Sequence, residues 1–317
     1  MVLAAAVQLE AVLGDVAANL AACEALADEA CRAGARIIAL PEFFSTGIGF
    51  DDALKDAALP PDGAATALLT SLARRHDALV GGSFLCRDPD GHVRNAYLAA
   101  TPDGVLGRHD KDLPTMWENC FYTGGHDDGV IPAGQYQLGA AVCWELMRTR
   151  TVTRLRSRVD LVMTGSGWWS IPRWTPRAVF DRWEYQNSAT ARAVAPMFAK
   201  YVGAPVIHAA HAGDLTCGMP WLPMPYRGRL EGSTMIVDAR GEILAERGPD
   251  EGPGVVLAEI EIGRATPLLE PPDRYWLHPR GPLPSAVWHY QRWHGRRWYR
   301  RHVLSAGATL AEPTSPC

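Results

Sequence analysis

Residues 139–145 read GAAVCWE, a short apolar run that ends in a cysteine. The run predicts a buried strand, which would present the thiol of Cys143 at its C-terminal end. A reactive cysteine needs a group that takes its proton, and this group is usually a histidine. Here the nearest candidates are acidic and basic instead, because Glu42 and Lys111 each follow a strand-like run as well. Chemistry collects at the ends of strands in open α/β sheets, so these three side chains are the first candidates for a functional site.

Length and composition predict a globular protein. The chain has 317 residues, 47% apolar and 21% charged, which allows a substantial core in one large domain or two ordinary ones. A formal net charge of −4 gives no electrostatic reason to expect a nucleic-acid partner. The sequence shows no leader pattern and no apolar run of about 18 residues, so we expect no membrane association. Seven scattered cysteines favour a reducing, cytoplasmic compartment over a disulfide framework.

Strand and helix signals alternate along the early part of the chain. Asp15 predicts the N-cap of a helix, and Gly34 predicts where that helix ends. Residues 36–40 form a strand-like run before Glu42, and residues 64–76 have a helical period. Later segments carry hairpin signals. This order predicts a mixed sheet flanked by helices.

Three later segments complete the predicted organisation. Residues 112–137 contain several glycines and prolines without a strong period, which is typical of a long functional loop. A long helix is expected over residues 177–200. From residue 263 the sequence becomes Pro-rich and then Arg/Trp-rich, with no amphipathic period. We therefore expect one domain over residues 1–262 and a C-terminal extension over 263–317, which forms an oligomer contact or is partly disordered.

Five short motifs, in this order, resemble those of the nitrilase superfamily of carbon–nitrogen hydrolases. The motifs are LPEF at 40–43, KDLPT at 111–115, Glu118, CWE at 143–145 and GSTMIVDARGE at 232–242. The resemblance covers roughly residues 1–262. It implies an α/β fold, a four-layer α-β-β-α sandwich of two mixed sheets flanked by helices. It also implies a homodimer or larger homo-oligomer, in which the C-terminal extension wraps a partner subunit.

The same resemblance implies a role for four residues. Cys143 would be the nucleophile that attacks a nitrile or amide carbon and forms a thioimidate or thioester. Glu42 would be the general base that takes the thiol proton and later activates water. Lys111, with the backbone N–H after Cys143, would stabilise the negative charge of the tetrahedral intermediate. Glu118 resembles a second glutamate that positions substrate or water and helps to hold Lys111. Ammonia or an amine would leave, and no metal or organic cofactor is implied.

Four further side chains are candidates for contact with the substrate. Trp168 and Trp169 follow a Gly-rich turn, which would aim their rings into a cleft, although packing in the core is the competing interpretation. Trp144 and Glu145 directly follow the candidate nucleophile, and Glu145 could instead take part in a salt bridge. The Trp- and Met-rich loops favour a substrate with an apolar or aromatic portion.

The motifs do not choose the substrate or exclude every rival function. Nitrile, amide and N-carbamoyl hydrolases share the trio Glu42, Lys111 and Cys143, and acyl transfer to an amine uses the same site. The chain also departs from the nitrilase pattern, with Asn119 in place of an arginine. A catalytically silent binding or scaffold member and a papain-like Cys–His enzyme are the alternatives of other kinds. The sequence therefore predicts a hydrolase of non-peptide carbon–nitrogen bonds, with a nitrile or small amide as substrate.

Overall fold

Five α-helices and fourteen strands make up the fold across residues 1–220, 222–278 and 282–304, which the computed structural model describes. The helices are α1 (Val16–Arg32), α2 (Ala64–His76), α3 (Thr149–Leu155), α4 (Arg177–Val202) and α5 (Pro282–Tyr299). The strands are β1 (Val2–Leu9), β2 (Ile37–Ala39), β3 (Leu79–Arg87), β4 (Val93–Thr101), β5 (Gly104–Asp110), β6 (Val130–Ala133), β7 (Tyr136–Val142), β8 (Leu161–Ser166), β9 (Val206–His211), β10 (Asp214–Met219), β11 (Leu222–Arg229), β12 (Thr234–Val237), β13 (Ile243–Arg247) and β14 (Gly254–Ile260). Two short helical turns, Met116–Cys120 and Cys143–Met147, lie at the candidate site.

Twelve of the strands form two six-stranded halves of one hydrogen-bonded sheet. The first half has the order β14-β1-β2-β3-β4-β5, and the second has the order β13-β12-β9-β8-β7-β6. The halves are joined where the ends of β1 and β9 pair in parallel, through Gln8–Ala210 and Leu9–His211. The central strands of each half run parallel and the outer strands antiparallel, so both halves are mixed.

The two halves pack face to face. Ala4 of β1 belongs to the core shared with β7, β8 and β9, whereas its neighbour Ala5 belongs to the core under α1 and α2. Gly81 of β3 shows how closely the halves approach, because a Cβ there would lie 3.1 Å from the Cε of Met163 on β8. Strands that are covered on both faces have continuous apolar sequences, which is why β1 and β7 can be predicted from the sequence.

Helices cover the outer face of each half and complete the predicted four-layer α-β-β-α sandwich. Helices α1 and α2 pack on the first half, while α4 packs on β9 and β12 of the second half and on α3. The N-cap of α1 is the predicted one, since the Asp15 carboxylate accepts a hydrogen bond from the backbone N–H of Ala18 at 3.0 Å. Gly34, at φ +99°, follows the end of this helix as predicted.

A small hairpin departs from the sequence predictions. Strands β10 and β11 form a two-stranded antiparallel sheet of their own, where no strands were expected. Pro223 and Pro225 lie within β11 and depress its strand signal, because proline cannot donate to a ladder. The predicted loop over residues 112–137 also contains regular structure, namely the turn Met116–Cys120 and strand β6.

The structure of the C-terminal segment differs more strongly from the sequence prediction. No helix is expected there from the sequence, yet α5 forms and packs against this chain's own turn Met116–Cys120. Gly295 permits the approach, since a Cβ there would lie 2.5 Å from the Asn119 Cβ and 2.9 Å from the Asn119 carbonyl carbon. Buried Trp288 and Tyr299 alternate with exposed arginines, and this unusual composition hides the helical period. The expected disorder concerns in part residues 305–317, which lie outside the described residues.

Candidate active site

Glu42, Lys111, Glu118 and Cys143 come together in the structure. Lys111 directly follows β5, Cys143 directly follows β7, and Glu42 lies three residues beyond β2. The Lys111 Nζ is 2.7 Å from Oε1 of Glu42 and 2.7 Å from Oε2 of Glu118. The side chains of Glu42, Lys111 and Glu118 are fully buried, and Cys143 is 2% exposed. A buried ammonium group between two carboxylates therefore stands beside the candidate nucleophile.

The Glu42 carboxylate is held by both of its oxygens. Asn95 of β4 donates its Nδ2–H to Oε1 at 2.8 Å, and the backbone N–H of Gly167 donates to Oε2 at 2.9 Å. The Nε2 of His211 lies 2.6 Å from the Glu42 backbone carbonyl oxygen. These contacts come from three different strands or strand ends, so the carboxylate is fixed in position before any substrate binds.

The environment of Cys143 keeps its sulfur protonated. Burial and the negative charge of Glu42 raise the pKa of Cys143 well above 9, and the charge of Lys111 offsets this in part. A thiol in this state attacks a carbon atom only when a base removes its proton in the same step. Glu42 is suitably placed to be that base.

The backbone at the site is strained. Six non-glycine residues among those described have φ in the left-handed region, and three of them are Cys143 (+54°), Phe43 (+52°) and Met116 (+51°). Phe43 follows Glu42, and Met116 lies two residues before Glu118. Such conformations cost about 1–3 kcal/mol each and collect at functional sites. The left-handed conformation of Cys143 lets the chain turn sharply from β7 into the helical turn Cys143–Met147.

The charges of Lys111 and Glu118 depend on each other. Burial alone would lower the pKa of Lys111, but Glu118 and Glu42 outweigh it and hold the pKa above its ordinary value. Burial raises the pKa of Glu118 to about 7, against the opposing charge of Lys111. The lysine is therefore an ammonium ion at neutral pH, while Glu118 titrates near neutrality.

Glu118 keeps one oxygen available. Its Oε2 accepts hydrogen bonds from Lys111, from the Thr115 backbone N–H at 2.9 Å and from the Tyr122 hydroxyl. Its Oε1 is buried and has no hydrogen-bond partner among the described residues. A buried acceptor without a partner is costly, so this oxygen is placed to receive a hydrogen bond from a ligand or a water molecule.

Glu145 lies behind the nucleophile and joins two strand ends. Its carboxylate accepts hydrogen bonds from the backbone N–H of Val142 at 2.8 Å and from that of Asp112 at 3.1 Å. His109 contacts it through Nε2 at 2.8 Å, and Arg154 at 3.2 Å. Val142 precedes Cys143 and Asp112 follows Lys111. The Glu145 carboxylate therefore holds the backbone next to Cys143 and the backbone next to Lys111 in fixed positions relative to each other.

The charge of Glu145 is stabilised by a buried histidine. Burial opposes a charge on His109, but Glu145 and Asp127 together raise the pKa of His109 to about 10. Burial likewise opposes the charge of Glu145, yet His109 and two arginines hold the pKa of Glu145 well below its ordinary value. An imidazolium–carboxylate pair therefore persists at neutral pH.

The three candidate tryptophans line an apolar cavity of about 590 Å³. The ring of Trp144 lies 5.7 Å from that of Trp168, and the ring of Trp169 stacks on Trp117 at 4.4 Å. Asn187 of α4 accepts a hydrogen bond from the Trp168 Nε1–H at 3.0 Å. Glu145 is not part of this lining.

The sequence pattern of the carbon-nitrogen hydrolase family matches residues 3–268, which is most of the chain. The chain belongs to the carbon–nitrogen hydrolase family. The resemblance seen in the motifs is thus confirmed, and so is the prediction that the protein is an enzyme of this class.

Relatives of this carbon–nitrogen hydrolase include two amidases and a nitrilase. The omega-amidase YafV of Yersinia enterocolitica is 30% identical over 217 residues, which cover 68% of this chain and 73% of the relative. The 2-oxoglutaramate amidase of Bacillus subtilis is 24% identical over 240 residues, 74% of this chain and 82% of the relative.

Solved structures show the same fold. A mutant amidase from Nesterenkonia sp. AN1, with acrylamide added to its active-site cysteine, superposes with a TM-score of 0.65 at 18% identity. The alignment covers 82% of this chain and 94% of that one. Nit3 of Saccharomyces cerevisiae superposes with a TM-score of 0.63 at 19% identity and covers 81% and 89% of the two chains.

Several residues at the site of this carbon–nitrogen hydrolase were not found from the sequence. Asn95 begins the otherwise mostly apolar run 95–100, and this is the signal that could have marked it, whereas His109 lies among charged residues and Tyr122 in a polar loop, where no such signal exists. Their partners lie on other strands, so the sequence could not name the pairs.

No group of three or more potential metal ligands is found among His, Cys, Asp and Glu side chains of the residues described. Within the same residues, no helix is long and apolar enough to span a bilayer.

Proposed function

We propose that this carbon–nitrogen hydrolase converts a carboxamide to a carboxylic acid and ammonia through a covalent thioester on Cys143. The observation that carries the proposal is the buried Lys111 ammonium, 2.7 Å from the carboxylates of both Glu42 and Glu118 and beside the thiol. The amidases among the relatives favour an amide over a nitrile as the substrate.

The first half of the reaction forms the thioester. Glu42 takes the thiol proton as the sulfur of Cys143 attacks the carbonyl carbon, and the carbonyl oxygen becomes an oxyanion. The Lys111 ammonium and the backbone N–H of Trp144 stabilise that charge. Glu42 then gives the proton to the amide nitrogen, the C–N bond breaks and ammonia leaves.

The second half releases the acid. Glu42, now a carboxylate again, takes a proton from a water molecule that attacks the thioester carbon. The C–S bond breaks, the proton returns to the sulfur and the carboxylic acid departs. The free Oε1 of Glu118 receives a hydrogen bond from the substrate amide or from this water.

The test is ammonia release from primary amides, nitriles and N-carbamoyl compounds. We expect turnover of an amide by the wild type, none by Cys143→Ala, and wild-type turnover by the control Cys23→Ala, which removes a buried thiol on α1. Intact-mass spectrometry should detect an acyl adduct on the wild type during turnover and none on Cys143→Ala.

Four outcomes would overturn parts of the proposal. Ammonia release by Cys143→Ala at the wild-type rate would remove the covalent step. Full activity in Glu42→Gln would mean that a residue other than Glu42 is the general base. Preference for a nitrile or an N-carbamoyl compound would replace amide hydrolysis with one of those reactions. An acyl product with added hydroxylamine, when no acid forms from the amide in its absence, would replace hydrolysis with acyl transfer.

A further inference from the structure

The cavity of about 590 Å³ is built mainly from aromatic rings. Its walls come from segments next to the candidate catalytic residues, since Trp144 follows Cys143, and Met116 and Trp117 precede Glu118. The loop after β8 and helix α4 supply the other rings. Six tryptophans line it: Trp117, Trp144, Trp168, Trp169, Trp174 and Trp183. Aromatic rings bind flat apolar groups by stacking and by large area of contact.

Helix α5 forms one wall of this cavity through Val287 and Gln291. It is fixed to both catalytic turns. Trp288 stacks on Trp144 with ring centroids 5.5 Å apart and planes within 10°. Gly295 lies against Asn119, the residue after Glu118. The C-terminal segment of the same chain therefore shapes the space beside the nucleophile.

Among the residues that the structure describes, the cavity offers no lysine, arginine or carboxylate as a partner, and its lining includes one histidine, His278. None of its lining residues within the described part of the chain is Asp, Glu, Lys or Arg. A carboxylate placed among these rings would lose its hydration without gaining an ion pair, which is strongly unfavourable.

Three arginines, Arg173, Arg177 and Arg229, line a neighbouring cavity of about 130 Å³ that shares Ser170, Ile171, Pro172 and Phe180 with the larger one. Two of them already have partners, because Arg177 lies 3.1 Å from Asp181 and Arg229 lies 3.3 Å from Asp250. Cationic groups are thus collected outside the aromatic cavity.

We infer that the aromatic cavity binds the acyl group of the substrate, and that this group is uncharged and aromatic or bulky and apolar. The inference rests on the proposed amide hydrolysis at Cys143. Small acyl groups would leave most of the volume unfilled, and acyl groups with a free carboxylate would be rejected by desolvation.

The first experiment compares three amides that differ at the far end: 3-phenylpropionamide, propionamide and succinamate. Burial of a phenyl ring predicts a kcat/KM for 3-phenylpropionamide about 30- to 100-fold above that for propionamide. Succinamate should be the poorest of the three. Higher kcat/KM for propionamide or succinamate would overturn the inference while leaving the proposed hydrolysis intact.

The second experiment uses variants of the wall. Trp183 lines the cavity and is 41% exposed, so Trp183→Ala removes a ring without opening the core. We expect about a tenfold loss of kcat/KM for 3-phenylpropionamide and a smaller loss for propionamide. Val287→Arg adds a cation on α5 and should lower turnover of 3-phenylpropionamide while raising that of succinamate. The matched control Ala286→Arg places the same charge at an exposed neighbour and should change neither.

A binding measurement separates this inference from the proposed function. Cys143→Ala cannot form a thioester. Quenching of its tryptophan fluorescence when an amide is titrated in therefore reports binding alone. Tighter binding of 3-phenylpropionamide than of propionamide supports the cavity assignment even if no amide is turned over, in which case amide hydrolysis is the part that fails. Equal affinity for the two amides would overturn the assignment.

Discussion

Lys111 sets the charge balance of the candidate site. Two buried carboxylates share one ammonium group, at 2.7 Å each, so the cluster with Glu42 and Glu118 carries a net negative charge when all three are ionised. Burial and then that charge disfavour a third anion, so the Cys143 thiol keeps its proton. Burial, with a smaller contribution from the negative charge of Glu42, raises the pKa of Glu118 to about 7 against the opposing charge of Lys111, so Glu118 takes up a proton near neutral pH.

The titration of Glu118 has consequences for stability. Folding raises its pKa from 4.5 to about 7, so within this range the folded chain holds a proton that the unfolded chain has lost. The contribution of Glu118 to the free energy of unfolding is therefore fully present below pH 4.5 and falls as the pH rises to about 7.

Tyr122→Phe tests which form of Glu118 is active. The Tyr122 hydroxyl donates to the Glu118 carboxylate and so lowers the pKa of that group. Without it, the pKa of Glu118 rises further, and we expect the acidic limb of the kcat–pH profile to move to higher pH. Activity should fall more below pH 7 than above it.

Tyr97→Phe is the control for this change, because Tyr97 is equally buried and its hydroxyl has no partner among the described residues. Its profile should match the wild type. A Tyr122→Phe profile that also superposes on the wild type would show that ionised Glu118 is not required.

At the scale of elements, the geometry of the site depends on how strand ends are joined. The ends of β5 and β7 are not direct neighbours, because β6 pairs with β7 in the second half and β5 is the edge of the first. Glu145 connects them by accepting the backbone N–H groups of Asp112 and Val142. The pair of Glu145 with His109 makes this connection ionic.

Glu145→Gln should weaken that connection. A glutamine cannot balance the His109 charge, so the two strand ends lose their alignment, and displacement by about 1 Å costs about 10² in rate. We expect a loss of that order in kcat, an unchanged KM and slower alkylation of Cys143 by iodoacetamide. The exposed Glu246→Gln is the control. A variant with wild-type kcat would assign Glu145 to folding alone.

Gly295→Ala gives a test of how α5 is docked. Alanine favours an isolated helix over glycine by about 1 kcal/mol, so helix propensity alone predicts a higher Tm. The added Cβ would instead meet Asn119 at 2.5 Å and push α5 from the turn that carries Glu118. We expect a lower Tm in a thermal unfolding experiment and a lower kcat for amide turnover.

Arg296→Ala, at the next and exposed position of α5, should leave both values unchanged. A rise in Tm for Gly295→Ala would mean that α5 is not held by this contact.

At the scale of the whole molecule, assembly stays a prediction. The family resemblance implies a homodimer or a larger homo-oligomer, and α4 exposes apolar groups that suit such a contact, with Tyr185 76% and Val179 42% exposed. Sedimentation should give a mass at least twice the 34.5 kDa of one chain. A monomer across the accessible concentration range would contradict it. The domain boundary at residue 263 and the cytoplasmic location likewise stay predictions.

Local sequence was sufficient for a mixed sheet flanked by helices and for the positions of Glu42, Lys111 and Cys143 at strand ends, while the family resemblance supplied the four-layer sandwich. Strand period and strand ends are local properties, so β1, α1, α2 and β7, with Cys143 after it, could be found residue by residue. The resemblance then supplied Glu118 and the role of each of the four residues. The family match confirms the class of enzyme.

Tertiary structure decided what surrounds that trio. Asn95 meets Glu42 because β4 lies beside β3, and His109 meets Glu145 because β5 and β7 end close together. Helix α5 becomes a cavity wall because Gly295 lets it approach Asn119. Each of these contacts joins residues far apart in the chain. Their existence depends on which elements become neighbours, a property that no local period encodes.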